Sequence, residues 1–443
     1  MTTTRECPAL MISALASGQG KTTVTAALAA WHRRQGKRVT VFKTGPDYLD
    51  PLLLARASGG SAEPLDLWMM GEEACRRALY EAAAESDLIL IEGAMGLFDG
   101  DPSSADLAEH FSLPVVTVIH ARGMAQTVAA VALGLTHYRP SLNTLGIVAN
   151  ALGSERHRQL IEAALAPETP LLASLLRKDD MALPSRHLGL VMPDEQHDVD
   201  ERIALAADQL EGSTLSTLLP NVSFPAPAYD TTPATTLEGC RIAVARDAAF
   251  SFIYSANLRL LEALGADIAF FSPLTDSTLP EGYTAVWLPG GYPELHADTL
   301  ACNTAMHQAL RNAHDRGCPI LAECGGMLYL MASLVTLEGD TFPMANVLPG
   351  QGRMQGHSGC QGMQSVELPE GTLRGHSHHH SRAFETLPPL THCQRARHSA
   401  PGEAVYRQGN TTASYLHLYF PSNPSACAAL FTAPRQTASS VRP

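Results

Sequence analysis

The sequence predicts an α/β protein of two doubly wound domains, the first built on a mainly parallel sheet. Three observations predict it. Short β-rich runs alternate with Ala/Leu-rich helical stretches, this rhythm breaks once near residues 221–238, and it then restarts. The length of 443 residues also exceeds what one hydrophobic core usually serves.

In the first domain, residues 1–220, the strand candidates are PALMISA, RVTVF, LILIEG, PVVTVI and LGIVAN, separated by helical segments such as TVTAALAAWHRRQ. Residues 221–238 gather Pro and Thr without apolar periodicity and read as a linker. The second domain, 239–443, resumes with RIAVARD, the helical NLRLLEALG, ADIAFFSP, AVWLPGG, a helix near His307, PILAECGG and the helical MLYLMASL. From Thr341 to about Gln408 the chain is rich in Gly and His and weakly periodic, before the strand-like ASYLHLYF.

A hydrophobic fraction of 45% against 17% charged residues is that of a chain that folds on its own core. A formal charge of −13 argues against nucleic acid or an acidic membrane as partner. The nine cysteines are an odd number without a CxxC pair, and no signal-like segment opens the chain, so a reducing cytoplasm is expected. The apolar stretch 124–135 is too short to span a bilayer, which takes about 20 residues.

Ser17 to Thr23 read SGQGKTT between a strand and a helix, the setting of a phosphate loop. Ser17, Gly18, Gly20 and Thr23 shape the turn, Lys21 supplies a point charge, and Thr22 offers a hydroxyl to Mg2+, with ATP as the expected co-substrate. Leu15 stands where the full pattern has glycine. Acidic strand ends follow: KTGPDYLDP carries Lys43, Asp47 and Asp50, and LILIEGAMGLFDG carries Glu92 and Asp99. Such carboxylates can hold magnesium or orient substrate, and Asp47 and Glu92 join Thr22 as the expected metal ligands. Loop capping is the competing explanation for each, most strongly for Asp50 and Asp99. Asn150 ends its strand and could read an adenine edge or form a turn.

In PILAECGGMLYL a buried strand runs through Cys324 into a helical stretch, which exposes a nucleophile on a sharp turn and leaves the Gly325 N–H as an oxyanion donor. Gly290 and Gly291 offer a second donor loop, with Gly291 the expected donor. His417, on a strand, is the expected base. The tract with His376, His378, His379 and His380 lacks a companion cluster at metal-ligand spacing and reads as a substrate-facing or solvated loop.

The segments SGQGKTTVT, FKTGPDYLDP, LDLWM, LILIEGAMGLFDG, ARGMAQ, GSERH, LPSRHLGL, RIAVARDAAFSFIY, FFSPL, LPGGYPEL, AECGGMLYL and ASYLHLYF together resemble the cobyrinic acid a,c-diamide synthase family, including its hydrogenobyrinic acid branch. The resemblance runs nearly end to end. It implies a dethiobiotin-synthetase-like ATP domain joined to a class I glutamine amidotransferase domain. It makes Cys324 the glutaminase nucleophile and His417 the histidine that activates it. It also implies ring carboxylates activated as acyl phosphates and amidated at the a and c positions, with Asp47, Tyr48, Leu49 and Asp99 near the ring side chains. The partners so implied are small molecules, a corrinoid ring, glutamine and ATP, and there is room for a homodimer. Pro289 and Tyr419 depart from the family pattern, and its RGHEFHYS is RGHSHHHS here. Cobyric acid synthase and sirohydrochlorin diamide synthases share this chemistry on other positions or rings; a regulatory P-loop ATPase is the alternative of another class.

Overall fold

The computed structural model describes residues 3–178, 185–186, 189–190, 198–228, 234–357 and 359–432. The chain divides into two compact units, Met1–Asp230 and Thr231–Pro443. Half of the LPSRHLGL segment and the middle of the expected linker lie outside the described residues.

The first unit contains seven parallel strands: β1 (Thr4–Ala14), β2 (Val39–Lys43), β3 (Ala62–Pro64), β4 (Leu88–Glu92), β5 (Val115–His120), β6 (Thr144–Leu152) and β7 (Leu171–Leu176), in the order β3-β2-β4-β1-β5-β6-β7. The two-residue period of β1 feeds both faces of the sheet. Leu10, Ile12 and Ala14 pack with Val24 and Leu28 of helix α1 (Lys21–Arg34), while Cys7, Ala9 and Met11 pack with Cys75 and Leu79 of the helix Glu72–Glu85. Each such buried leucine contributes roughly 1.5–3 kcal/mol relative to an exposed one. This arrangement sends the C-terminal ends of β1, β2 and β4 toward the same edge, because all three run parallel.

The linker expectation differs from the structure at its start. Asn221–Pro225 is a strand, antiparallel to the first half of β1, with Val222 and Phe224 buried. Its alternation is only five residues long and ends in proline, so its strand character was hidden by composition.

In the second unit the strands Asp267–Phe271, Arg241–Ala245, Ala285–Leu288, Ile320–Glu323 and Thr411–Ser414 are successive parallel neighbours, with helices on both faces. The same sheet then continues antiparallel through Pro401–Gln408, Thr391–Arg395, Gln361–Leu368, Gly371–His378 and finally His417–Tyr419. This sheet is thus half antiparallel, and the weakly periodic 341–408 stretch supplies four of its five antiparallel strands. Its strands bury one face and expose the other, so Gly, His and charged residues alternate with apolar ones and blur the signal. Among the described residues no helix is long and apolar enough to cross a membrane.

Candidate active sites

At the end of β1 the chain turns through Gly18 (φ 73°) and Gly20 (φ 92°), the latter capping α1. A side chain at Gly20 is barred twice, by its left-handed backbone and by Asn150, whose Nδ2 would lie 2.0 Å from an added Cβ. Asn150 Nδ2 donates to the Gln19 carbonyl at 2.9 Å, and Gln19 Oε1 accepts from the His120 N–H at 2.8 Å. Asn150 therefore braces the loop. Ser17 and Gly18 are exposed, and Thr23 is half-buried on the first turn of α1. Lys21 is buried and folds back, its Nζ donating to the carbonyls of Ala16 (3.2 Å) and Met95 (2.5 Å). Burial, then repulsion from Lys43, lowers its pKa to about 8. An arriving phosphate would restore the charge that burial disfavours.

The acids gather around Lys43, which sequence reasoning named but gave no role. Its ammonium donates to Glu92 Oε1 at 2.6 Å and to Asp50 Oδ2 at 2.9 Å, with Asp47 Oδ2 at 3.8 Å. Burial opposes this charge, yet Asp50, Glu92 and Asp47 outweigh it and raise the Lys43 pKa well above normal. Thr22 Oγ1 donates to Glu92 Oε1 at 2.8 Å and also approaches Asp50 Oδ2 at 3.3 Å. Glu92 is fully buried, which pushes its pKa up, and its Oε2 has no hydrogen-bond partner among the described residues.

An orphaned carboxylate oxygen beside a threonine hydroxyl fits a hard cation. Among the described residues no group of three or more His, Cys, Asp or Glu could hold a metal. That suits magnesium in a nucleotide site, which typically takes one or two protein carboxylates and fills its sphere with phosphate and water. Of the three ligands expected, Thr22 and Glu92 come together with Asp50. Asp47 instead caps the next turn, its Oδ1 accepting from the N–H groups of Leu49 and Asp50.

The four expected substrate residues divide. Asp47 and Tyr48 are half-buried, and Asp99 is exposed with Oδ2 accepting from the Gly96 N–H at 3.0 Å. Leu49 is 2% exposed, its side chain packed among the buried hydrophobic residues.

In the second unit Cys324 sits between the strand Ile320–Glu323 and the helix Gly325–Leu330 with φ 46° and ψ −105°, a strained setting for a residue with a side chain. Its N–H is anchored on the Ser414 carbonyl at 2.8 Å. The elbow needs its glycines: an added Cβ at Gly326 would lie 2.1 Å from the Leu288 carbonyl, and one at Gly325 would lie 3.0 Å from the Gly291 nitrogen. The two expected oxyanion donors are therefore neighbours. Gly290 lies against the imidazole of His417, where an added Cβ would be 2.2 Å from Cε1. Nucleophile and histidine thus flank one Pro-Gly-Gly turn.

Burial raises the Cys324 pKa, and the carboxylates of Glu294 and Glu403 add to the effect. Burial, followed by His379 and His378, lowers His417 to about 3, so its imidazole is neutral at pH 7. A neutral imidazole can accept the thiol proton, which a protonated one cannot.

Of the two alternatives expected for the histidine tract, substrate-facing or solvated loop, the solvated loop is not what the structure shows, since the tract is strand up to His378. His376 and His379 are buried, and His376 stands in register with His417 on the neighbouring strand. His379 uses both ring nitrogens, Nδ1 with the Ser381 carbonyl and Nε2 with Glu403 Oε1, each at 2.8 Å, and stacks on Tyr415 at 3.8 Å. His379, Ser381, Glu403 and Tyr415, together with Cys360 and Arg382, line a cavity of about 430 Å³.

Residues 10–191 match the model of the CobQ/CobB/MinD/ParA nucleotide binding domain, and residues 241–425 that of the CobB/CobQ-like glutamine amidotransferase domain. A hydrogenobyrinate a,c-diamide synthase of Stutzerimonas stutzeri is 54% identical over 97% of this chain and 99% of its own. Its counterpart from Pseudomonas aeruginosa is 52% identical over 98% and 99%. A cobyrinate a,c-diamide synthase of Herminiimonas arsenicoxydans is 50% identical over 96% of each. With such identity across both units, the chain belongs to the family of hydrogenobyrinate and cobyrinate a,c-diamide synthases.

Proposed function

We propose that this chain amidates the a and c side-chain carboxylates of hydrogenobyrinate or cobyrinate, using ATP and ammonia released from glutamine. The observation that carries the reading is one chain that joins a phosphate loop, with Lys21 and Thr22 beside Glu92, to a cysteine elbow that shares a glycine turn with His417.

A carboxylate resists ammonia because its leaving group would be an oxide. In the first half-reaction a ring carboxylate oxygen attacks the γ-phosphorus of ATP, which gives an acyl phosphate and ADP. Ammonia then adds to the carbonyl, and phosphate leaves. Lys21 neutralises the transferring phosphate, and Thr22 with Glu92 and Asp50 would hold a magnesium ion that would supply further neutralisation there. Asp47, Tyr48 and Asp99 position the ring carboxylates. In the second unit His417 takes the proton of Cys324, and the thiolate attacks the glutamine amide. The N–H groups of Gly325 and Gly291 receive the oxyanion. Ammonia leaves and water releases glutamate from the thioester. Making ammonia on the protein matters because free ammonia is mostly protonated at neutral pH. All nine cysteines are free, which agrees with work in a reducing cytoplasm.

The test incubates the protein with ATP, magnesium, each ring, and either glutamine or ammonium, and counts added amides by mass spectrometry. Cys324→Ser loses amidation from glutamine and keeps it from ammonium; Lys21→Ala loses both. Two amides added by the glutamine-fed Cys324→Ser protein would sink the nucleophile assignment, and wild-type ammonium rates in Lys21→Ala would sink the phosphate loop.

A further inference from the structure

We propose that Glu323 and Asn257 are positioning residues for His417: they clamp the outer edge of its strand through Leu418 and thereby hold the imidazole against the Gly290–Gly291 turn. This rests on the reading of Cys324 and His417 as the glutaminase pair.

The strand His417–Tyr419 ends the strand order of its sheet, so among the described residues no further strand covers its outer edge. That edge is nevertheless buried, with His417, Leu418 and Tyr419 at 2%, 5% and 3% exposure. A buried edge needs partners for its backbone groups. Two side chains provide them. The Leu418 N–H donates to Glu323 Oε1 at 2.8 Å, and the Leu418 carbonyl accepts from Asn257 Nδ2 at 2.8 Å. Each clamp is itself held. Glu323 Oε2 accepts from Trp287 Nε1 at 3.1 Å, and Asn257 Oδ1 accepts from the Phe420 N–H at 2.8 Å. Both residues are nearly fully buried.

Position gives this clamp its meaning. Glu323 immediately precedes Cys324, and Leu418 immediately follows His417. The nucleophile's strand and the histidine's strand stand six places apart in the sheet order, so the ladder alone fixes their separation through many intermediates. The Glu323 carboxyl replaces that path with one hydrogen bond. On the inner side Gly375 lets the backbones close up, since an added Cβ there would lie 2.1 Å from the His417 carbonyl. The strand is gripped from both sides. Burial pushes the Glu323 carboxyl up to about 8, and the uncharged amide of glutamine keeps its shape and one acceptor oxygen, enough for the Leu418 N–H but not for Trp287 Nε1 as well.

The experiment measures glutamine-dependent and ammonium-dependent amidation, with thermal melting, for wild type, Cys324→Ser, Glu323→Gln and Glu323→Met. Glutamine keeps an acceptor for the Leu418 N–H, and methionine removes it at similar volume. The expected result for Glu323→Met is a fall of about 10²-fold in glutamine-dependent kcat, with the KM for glutamine within about twofold and ammonium-dependent rates unchanged. Glu323→Gln, which can still accept from the Leu418 N–H but not also from Trp287 Nε1, should recover part of that loss. A wild-type kcat in Glu323→Met, a change carried by KM, or an equal loss in Glu323→Gln overturns the clamp while leaving Cys324 in place. Amidation from glutamine by Cys324→Ser would instead overturn the site and the clamp with it. If Glu323→Met does not fold, Asn257→Ala replaces it. A loss in kcat alone supports the clamp, and an unchanged kcat overturns it.

Discussion

Gly290→Ala is the smallest change that tests the glutaminase geometry, because a methyl group there meets a side chain and not the frame. The added Cβ would stand 2.2 Å from His417 Cε1, 3.0 Å from Nδ1 and 3.2 Å from Nε2. Ordinary contact begins near 3.4 Å, so the imidazole must retreat by about 1.2 Å, a misplacement of the size that can cost about 10²-fold in rate. In barrier terms this is about 2.7 kcal/mol. Gly290 has no left-handed backbone to defend, so alanine adds no dihedral strain. Gly291 provides the contrast. Its Cβ would lie 2.1 Å from the Ala249 carbonyl and 2.9 Å from Phe250 Cα, backbone that cannot step aside, so Gly291→Ala should lower the melting temperature of the protein instead. The assay is glutamate release with saturating glutamine, paired with ammonium-dependent amidation and a melting curve. Gly290→Ala is expected to keep its melting temperature and its ammonium rate while losing glutamine turnover. Full glutamine turnover in the folded variant would refute the placement of His417 as the base.

Three further outcomes follow from the first unit. Lys43→Met leaves Glu92, Asp50 and Asp47 without their cation, a change that typically costs about 3–5 kcal/mol when the charges are buried; magnesium should therefore raise the melting temperature of this variant more than that of wild type, and equal shifts would count against a cation site there. Asn150→Ala unties Gln19 from β6 and should raise the KM for ATP while sparing glutaminase activity, and an unchanged KM would leave Asn150 without a role in the loop. His32 is 2% exposed, neither ring nitrogen has a partner among the described residues, and burial lowers its pKa from 6.5 to about 4. The unfolded chain binds this proton first, so His32 costs stability as pH falls from about 6.5 toward 4. Urea midpoints of His32→Leu at pH 5 and pH 7 should differ less than those of wild type, and an equal difference would remove His32 from the acid response.

How much of this was legible in the sequence depended on whether the chemistry is local. Gly18, Gly20, Lys21 and Thr22 had to be contiguous because a phosphate loop is one turn of backbone, and Cys324 had to be flanked by Gly325 and Gly326 because an elbow admits no Cβ there. Those residues could be read directly. Glu92 was legible as a carboxylate ending an apolar strand, but nothing in KTGPDYLDP distinguishes the acid that turns toward Thr22 from the acid that caps a turn. Asp47 and Asp50 are three residues apart, and the start of α2 (Asp50–Ser58) decides between them: Asp47 accepts from the N–H groups of Leu49 and Asp50, which leaves Asp50 to meet Thr22 and Lys43. The role of Asn150 was hidden for another reason. Its partner Gln19 is 131 residues away, and the pair forms only because β5 lies beside β1 and β6 beside β5 in the sheet. The same holds for Glu323 and Leu418, 95 residues apart, and for Asn257 and Leu418, 161 apart. Motifs identify the groups that react, since their spacing is set by bonds along the chain. The groups that aim them are chosen by where the sheet puts the next strand, and a sequence carries that information only through the fold.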